Sequence, residues 1–146
     1  MKQLVTLIFV IFPLISFGEC LDINGSYTCK GLDGTYNLTV STNFIDGVYS
    51  YNFTQGSEST EVFSADGKDW PFEEEIEEGI KVKGTFKTVC DASSINIHMS
   101  GKIGNQDQNT DLKITAKIVE DMLYLRHRIL FNSRILDTMI DKCTLN

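Results

Sequence analysis

Apolar and polar residues alternate one by one through most of this chain after residue 20. From Leu112 to Ile118, apolar residues occupy every second position, and lysines or a threonine stand between them. A period of two places successive side chains on opposite faces of a β-strand, whereas a helix repeats about every 3.6 residues. The same alternation recurs in residues 36–41, 49–54, 80–87, 95–103 and 123–131. The pattern predicts an all-β protein in which each strand buries one face.

Short turn sequences separate these runs. The turns are predicted where residue pairs tolerate a positive φ angle, at Asp33-Gly34, Asp46-Gly47, Asp66-Gly67, Glu78-Gly79, Glu120-Asp121 and Asn132-Ser133. Such connections leave no room for crossover helices and indicate an antiparallel meander. Because closing the sheet removes its exposed edges, we predict a single antiparallel up-and-down β-barrel of about eight to ten strands rather than a sandwich.

The segment NGSYTCKGLDGTYNLTV, residues 24–40, illustrates the predicted hairpins. We expect a first strand from Ser26 to Lys30, a turn over residues 31–34 and a second strand from Thr35 to Thr42. Tyr27 and Cys29 then share one face of the first strand. The glycines serve the geometry of the turn, and a phosphate-binding loop is excluded because no helix follows them.

The first 18 residues differ from the rest of the chain. Lys2 precedes an apolar run from Leu4 to Phe17, and the small residues Ser16 and Gly18 come just before Glu19. This is the pattern of a cleaved secretory signal peptide, with an uncleaved anchor as the alternative. The apolar run is shorter than the ~20 residues that span a bilayer. We expect a signal peptide at 1–18, a single β-barrel domain at 19–146, secretion or export to the periplasm, and no stable membrane insertion after cleavage.

Four cysteines, Cys20, Cys29, Cys90 and Cys143, lie after the predicted cleavage site. In an oxidising compartment they are expected to form two disulfides. No pair has C-x-x-C spacing, which disfavours a zinc site. The first and last strands of a closed barrel are neighbours, so we predict that Cys29 pairs with Cys143 and Cys20 with Cys90.

The charge balance and motifs narrow the function classes. The formal net charge is −7, which disfavours nucleic acid and anionic membranes as partners and also serves solubility. No nucleophile elbow occurs, and neither histidine lies near a serine or cysteine in a known catalytic spacing. Five glutamates in residues 71–80 lack the regular spacing of a calcium loop. We therefore predict a non-enzymatic binding protein without a metal or cofactor.

One histidine is predicted to face the barrel interior. His127 alternates with the apolar Leu125 and Ile129, while Arg126 and Arg128 take the opposite face. We predict a small apolar ligand inside the barrel, with His127 as its polar contact and space left by Gly84, Gly101 and Ala116. A closely packed core, with His127 bonded to a neighbour, is the alternative. The predicted ligand-binding residues are Tyr36, Tyr49, Tyr51, Phe53, Phe86, Met99 and His127.

A second hypothesis places function on the surface. The segment from Trp70 to Gly79 is predicted to be a solvated loop or a short edge strand. As an exposed loop it would suit a protein-interaction module or enzyme inhibitor, and Arg126, Arg128 and Arg134 are candidates to face its glutamates. Asn24, Asn37 and Asn52 each begin an N-x-S/T sequon and are candidate glycosylation sites.

The segments INGSYTCKGLDGTYNLTV, DGVYSYNF and DKCTLN together resemble small exported proteins of Gram-negative bacteria that are generally uncharacterised. The resemblance covers residues 23–55 and the last strand, and implies a calycin-like barrel similar to those of lipocalins and avidins. Tyr27 and Tyr36 stand where the lipocalin G-x-W motif would have tryptophan. The Y-x-C opening also resembles periplasmic inhibitors of C-type lysozyme, but their S-G-x-x-Y loop has no clear counterpart. A ligand carrier is therefore favoured over an inhibitor.

Overall fold

The computed structural model describes residues 19–57, 60–77, 80–103 and 109–146. The predicted signal peptide and the predicted turn at Glu78-Gly79 lie outside the described residues. No helix in the described ranges is long and apolar enough to cross a membrane.

The described residues form one antiparallel sheet of ten strands. The strands are β1 (Gly25–Gly31), β2 (Gly34–Ile45), β3 (Val48–Gln55), β4 (Thr60–Ser64), β5 (Asp69–Glu77), β6 (Ile80–Asp91), β7 (Ser94–Ile103), β8 (Asn109–Val119), β9 (Met122–Phe131) and β10 (Arg134–Leu145). They follow meander order, and the sheet curls through 323° into a near-complete barrel. The predicted fold class is confirmed, because one alternating pattern per strand suffices to bury one face of a continuous sheet.

Pairing of the first and last strands joins the two halves of the sheet, which stays open between β4 and β5. β1 pairs with β10, so the free edges of the sheet are β4 and β5 rather than the chain termini. The connection from β4 to β5 forms backbone hydrogen bonds to β3 on one side of the opening and to β6 on the other. The backbone amide of Ala65 donates to the carbonyl of Tyr49 at 2.7 Å, and the amide of Gly67 donates to the carbonyl of Thr88 at 3.1 Å.

Two-residue turns produce the tight hairpins. Asp46 and Gly47 both have positive φ angles, and so do the pairs Glu120-Asp121 and Asn132-Ser133. Two successive positive φ angles match the right-handed twist of the flanking strands. These predicted hairpin ends are therefore confirmed.

The chain before β1 closes one end of the barrel, and we call residues 20–23 the floor. Ile23 is 1% exposed, and the amide of Leu21 donates to the carbonyl of Asp91 at 2.8 Å. Two tyrosines inside the barrel bind the same segment. The hydroxyl of Tyr51 donates to the carbonyl of Leu21, and that of Tyr27 donates to the carbonyl of Ile23, both at 3.0 Å.

Both disulfides have the predicted pairing. Cys29 and Cys143 are directly opposite each other on β1 and β10, which is the neighbour relation that barrel closure requires. Cys20 is joined to Cys90 and fixes the floor to the end of β6. Two disulfides indicate an oxidising, extracytoplasmic environment.

The segment beginning at Trp70 is a strand rather than an exposed loop. Residues Asp69–Glu77 form β5, a nine-residue edge strand paired with β6. Glu73 lies 3.2 Å from Nζ of Lys81 and 3.1 Å from Nζ of Lys83. Cross-strand lysines therefore take the role considered for Arg126, Arg128 and Arg134, which lie on β9 and β10. Glu73, Glu74 and Glu75 are all exposed, so successive positions of β5 are polar and the strand lacks the apolar–polar alternation of its neighbours.

Gly84 does not leave empty space, contrary to the prediction. It lies opposite Gly101 in the pairing of β6 with β7. A Cβ atom at Gly84 would collide with the backbone carbonyl oxygen of Ser100. The glycine permits a close backbone approach between two strands, which is a common reason for glycine in a strand interior.

Candidate ligand cavity and its mouth

A cavity of 170 Å³ lies inside the barrel. Its walls come from inward positions of β2, β3, β4, β7, β8 and β9, where the alternating pattern places apolar side chains. Its apolar lining is formed by Leu38, Phe53, Phe63, Ile97, Ile114, Ala116 and Leu125. Its polar lining is formed by Tyr36, Gln55, Glu61 and His127. The cavity is therefore apolar over most of its wall and polar at one side.

A second pocket, which we call the mouth, lies at the end of the barrel opposite the floor and has a volume of 340 Å³. The hairpin between β1 and β2 forms one wall of it, and Met139 and Asp141 of β10 form another. Tyr36, Gln55 and His127 line both the mouth and the cavity. These three shared side chains therefore form the boundary between the two spaces.

Three polar side chains meet at this boundary. The hydroxyl of Tyr36 donates to Oδ2 of Asp141 at 2.6 Å. Nε2 of His127 lies 3.4 Å from the same oxygen. This is ion-pair distance, but the contact is not aligned as a hydrogen bond, and the buried Nε2 atom has no hydrogen-bond partner among the described residues. The cluster thus holds a carboxylate with one strong donor and an imidazole nitrogen that is still available.

The surroundings of Tyr36 favour its neutral form. Burial, followed by the hydrogen bond to Asp141 and the charge of that carboxylate, raises the pKa of Tyr36 above its ordinary value of 10. Tyr36 therefore stays protonated at physiological pH and donates its hydrogen bond to Asp141.

A glycine on the neighbouring strand makes room for the carboxylate. A Cβ atom at Gly31 would collide with Oδ1 of Asp141. Gly31 thus allows Asp141 to lie against the backbone at the end of β1, beside the hairpin that forms the mouth. The glycine-rich segment identified in the sequence serves the mouth as well as the turn.

The structure brings together some of the predicted ligand-binding residues and separates others. Tyr36, Phe53 and His127 line the cavity. Tyr51 instead lies fully buried at the floor, where its hydroxyl is bonded to Leu21. The ring of Tyr49 packs on Phe44 with centroids 4.6 Å apart.

The remaining two predicted residues pack against the core outside the cavity wall. The ring of Phe86 meets Phe63 edge to face with centroids 5.5 Å apart. Met99 is partly buried against the core cluster. The prediction took whole inward faces as the site, and these faces also supply the packing that surrounds the cavity.

Sequence reasoning missed Asp141, Gln55 and Glu61. A signal for Asp141 was present, because it lies two residues before the buried Cys143 and therefore on the same face of β10. Gln55 and Glu61 flank the connection between β3 and β4, where the alternation ends. Their inward position depends on how far the barrel wall extends, which local sequence does not encode.

The arrangement suits a small ligand with an apolar body and a polar head. The described residues contain no group of three or more His, Cys, Asp or Glu side chains placed to hold a metal ion. Searches against protein-family models, curated proteins and solved structures found no match to this chain. The fold and the cavity therefore stand on the chain's own geometry, and no family is assigned.

Proposed function

We propose that this chain is an exported, non-enzymatic binding protein that holds a small apolar ligand in its barrel. The observation that carries the proposal is the apolar cavity, which adjoins the mouth at Tyr36, Gln55 and His127. Pockets with apolar walls and a few convergent polar groups are typical of small-molecule sites.

The volumes set the size of the ligand. The cavity of 170 Å³ is close to the ~150 Å³ of an engineered apolar cavity that binds benzene. With the mouth included, the space falls within the ~300–1,000 Å³ usual for ligand sites. A single ring or a short alkyl chain fits the cavity, and a larger substituent would extend into the mouth.

The polar boundary sets the chemistry of the head group. His127 offers an unpaired buried nitrogen, and Asp141 adds a carboxylate that already accepts from Tyr36. An unsatisfied buried polar atom costs about 1–3 kcal/mol. A ligand hydroxyl at this position would satisfy the nitrogen, whereas an anionic head would face the carboxylate.

Export supports this function without depending on it. The signal-like residues 1–18 and the two disulfides both suit a secreted or periplasmic protein. A carrier in such a compartment needs no cofactor or catalytic group.

Filling the cavity tests the proposal. Ala116 lines the cavity, so Ala116→Leu should weaken saturable binding of a naphthalene-type fluorescent probe by about tenfold or more, equivalent to about 1.4 kcal/mol. Ala92→Leu, in an exposed turn, is the matched control and should leave binding unchanged. His127→Leu should weaken naphthol more than naphthalene. Failure of the parent protein to bind any of these probes saturably would refute a ligand role for the cavity.

A protein-interaction module is the second candidate. It is favoured by exposed apolar side chains near the open end of the barrel, where Leu32 is 78%, Leu136 65% and Ile135 58% exposed. Clusters of exposed apolar residues often mark interaction sites. If Leu136→Asp abolishes binding of a partner protein while probe binding is retained, the result would favour this candidate over the carrier.

A further inference from the structure

The outer wall of the barrel opposite the acidic edge strand is strongly basic. Strand pairing aligns Lys113 of β8 with Arg128 of β9. It also aligns Lys117 with Tyr124, Tyr124 with Lys142 and Lys142 with Lys30 of β1. Arg126 lies between these two rows, two residues from Tyr124 and from Arg128. We call these seven residues the basic face; its six cations are all exposed.

The cations of the basic face lack carboxylate partners. None of the six forms an ion pair with any residue in the described ranges. The lysines of β6 differ, since Lys81 and Lys83 pair with Glu73 and Lys87 pairs with Asp69. Like charges directly opposite each other on neighbouring strands are destabilising. The protein therefore keeps an unneutralised cluster of positive charge although its net charge is −7.

An aromatic ring lies within this cluster. A surface groove of 130 Å³ is lined by Tyr124 and Ile140 together with Lys117 and Arg126. Nζ of Lys142 lies 6.0 Å from the centroid of the Tyr124 ring. The groove therefore offers a flat apolar surface with cations on several sides, which suits a ring that carries an anionic substituent.

The spacing of the cations suits a polymer rather than a single ion. Neighbouring strands are about 4.8 Å apart, and alternate residues along a strand are about 6.8 Å apart. At physiological ionic strength, charges beyond about 8 Å are largely screened. Asp111 lies within this range of Lys113, two residues away on the same face of β8, and its carboxylate is 3.4 Å from His98. Carboxylates farther from the basic face do little to cancel its attraction for a chain of repeated anionic groups.

The shape of the face selects among anionic partners. The sheet curls through 323°, so its outer wall is convex and a flat membrane would touch only part of the array. Single-stranded nucleic acids usually stack successive bases on several aromatic side chains, whereas this face presents one, Tyr124. A flexible chain of sugar rings can follow the curved wall and place one ring against Tyr124.

We propose that the basic face binds an acidic polysaccharide, a chain of sugar rings bearing carboxylate or sulfate groups. The site shares no residue with the cavity or the mouth and does not depend on the proposed carrier function. Tyr124 contacts a sugar ring, and the surrounding cations contact the anionic groups.

Binding to polygalacturonate and heparin over a salt series tests this proposal. The full chain after residue 18, with both disulfides intact, should bind both polymers at low salt and lose affinity linearly in log salt, while uncharged dextran should not bind. Arg126→Gln with Arg128→Gln should weaken binding by about tenfold and reduce the salt slope by about two. Lys68→Gln with Lys81→Gln removes the same charge elsewhere and should change affinity by less than about twofold.

Two further probes test the sugar assignment. Tyr124→Leu should weaken polygalacturonate but not polyglutamate, which has the same kind of charge and no ring. Stronger binding to polyglutamate, to poly-dT or to phosphatidylserine vesicles than to the two polysaccharides would overturn the proposal. Equal losses in the Arg126/Arg128 and Lys68/Lys81 variants, or no binding at low salt, would also overturn it.

Discussion

The two ends of the barrel interior are built in opposite ways. At the floor, Ile23 fills the space, Tyr51 donates to a backbone carbonyl, and a disulfide from Cys20 holds the segment in place. At the mouth, His127 and Asp141 face an open pocket, and the nitrogen of His127 has no hydrogen-bond partner among the described residues. The floor segment is packed, and the carbonyls of Leu21 and Ile23 accept hydrogen bonds. The buried hydroxyls of Thr42 and Thr88 toward this end lack partners among the described residues, but they face packed core, whereas the unpaired nitrogen at the mouth borders an open pocket that a ligand can enter. Stability is thus concentrated at one end, and the chemistry available for binding at the other.

The largest expected effects come from opening the two disulfides, beginning with the one that holds the floor. Cys20→Ala with Cys90→Ala opens a link across a sequence separation of 70, which is worth about 4 kcal/mol in the chain-entropy description. Urea unfolding of the oxidised protein should show a loss of this order. A loss below about 1 kcal/mol would show that the floor does not depend on the disulfide.

The second disulfide provides the control. Cys29→Ala with Cys143→Ala opens a longer link, with a sequence separation of 114, and should cost a similar free energy. It leaves the floor tied to β6, however. Limited proteolysis within residues 19–24 should therefore increase only in the Cys20/Cys90 variant, and equal cleavage in both would contradict this assignment.

Two isoleucines on one strand distinguish the packed part of the core from the cavity wall. Ile95 and Ile97 lie two residues apart on β7 and face inward, with exposures of 0% and 4%. Ile97 lines the cavity, so it already lacks neighbours on one side. Ile95→Ala should cost about 4 kcal/mol and Ile97→Ala about 2 kcal/mol, because the first creates a new void and the second enlarges an existing one.

Ligand binding provides an independent readout of the same pair. Ile97→Ala should change probe affinity, whereas Ile95→Ala should leave it unaltered in the folded protein. The reverse result, with binding sensitive to Ile95 alone, would move the ligand site toward the floor.

The smallest effects are expected from two tyrosine hydroxyls. Tyr51→Phe leaves the carbonyl of Leu21 without its donor and should cost about 1–2 kcal/mol. Tyr36→Phe removes a donor from Asp141 at the mouth, where water can replace it, and should cost less. Urea unfolding at pH 7 measures both, and equal or reversed costs would show that the mouth is as tightly closed as the floor.

Alkaline pH tests the floor through the same tyrosine. Burial, with a smaller contribution from the charges of Tyr49 and Asp22, raises the pKa of Tyr51 from 10.0 to about 12. The unfolded chain ionises first, so the stability contributed by neutral Tyr51 is fully present below pH 10 and is lost as pH rises from 10 to about 12. Tyr51→Phe should lose less stability than the parent across this window. An unchanged pH profile would place the Tyr51 hydroxyl in water.

Part of the candidate site was predictable because it follows from local alternation. His127 lies between Arg126 and Arg128, and the two arginines belong outside, so the histidine faces inward. The same argument placed Tyr36 and Phe53 at the cavity. It could not separate them from Tyr51, because alternation gives the face of a strand and not the height along the barrel.

The basic face shows what strand register adds. Lys113 and Arg128 are 15 positions apart in sequence, yet pairing of β8 with β9 places them side by side. A net charge of −7 gave no sign of this cluster, since a net charge does not report where charges lie.

Alternation, positive-φ residue pairs and the adjacency of the first and last strands are local or topological properties, so the sequence predicted most of the strands, their turns and the pairing of the cysteines. The three-dimensional fold was needed to show that residues 20–23 cover one end of the barrel, that Asp141 meets Tyr36 and His127, and that Asp69–Glu77 is a nine-residue edge strand. Each of these depends on contacts between residues distant in the chain. Such contacts are set by register and by the curvature of the curled sheet, which no short stretch of sequence specifies.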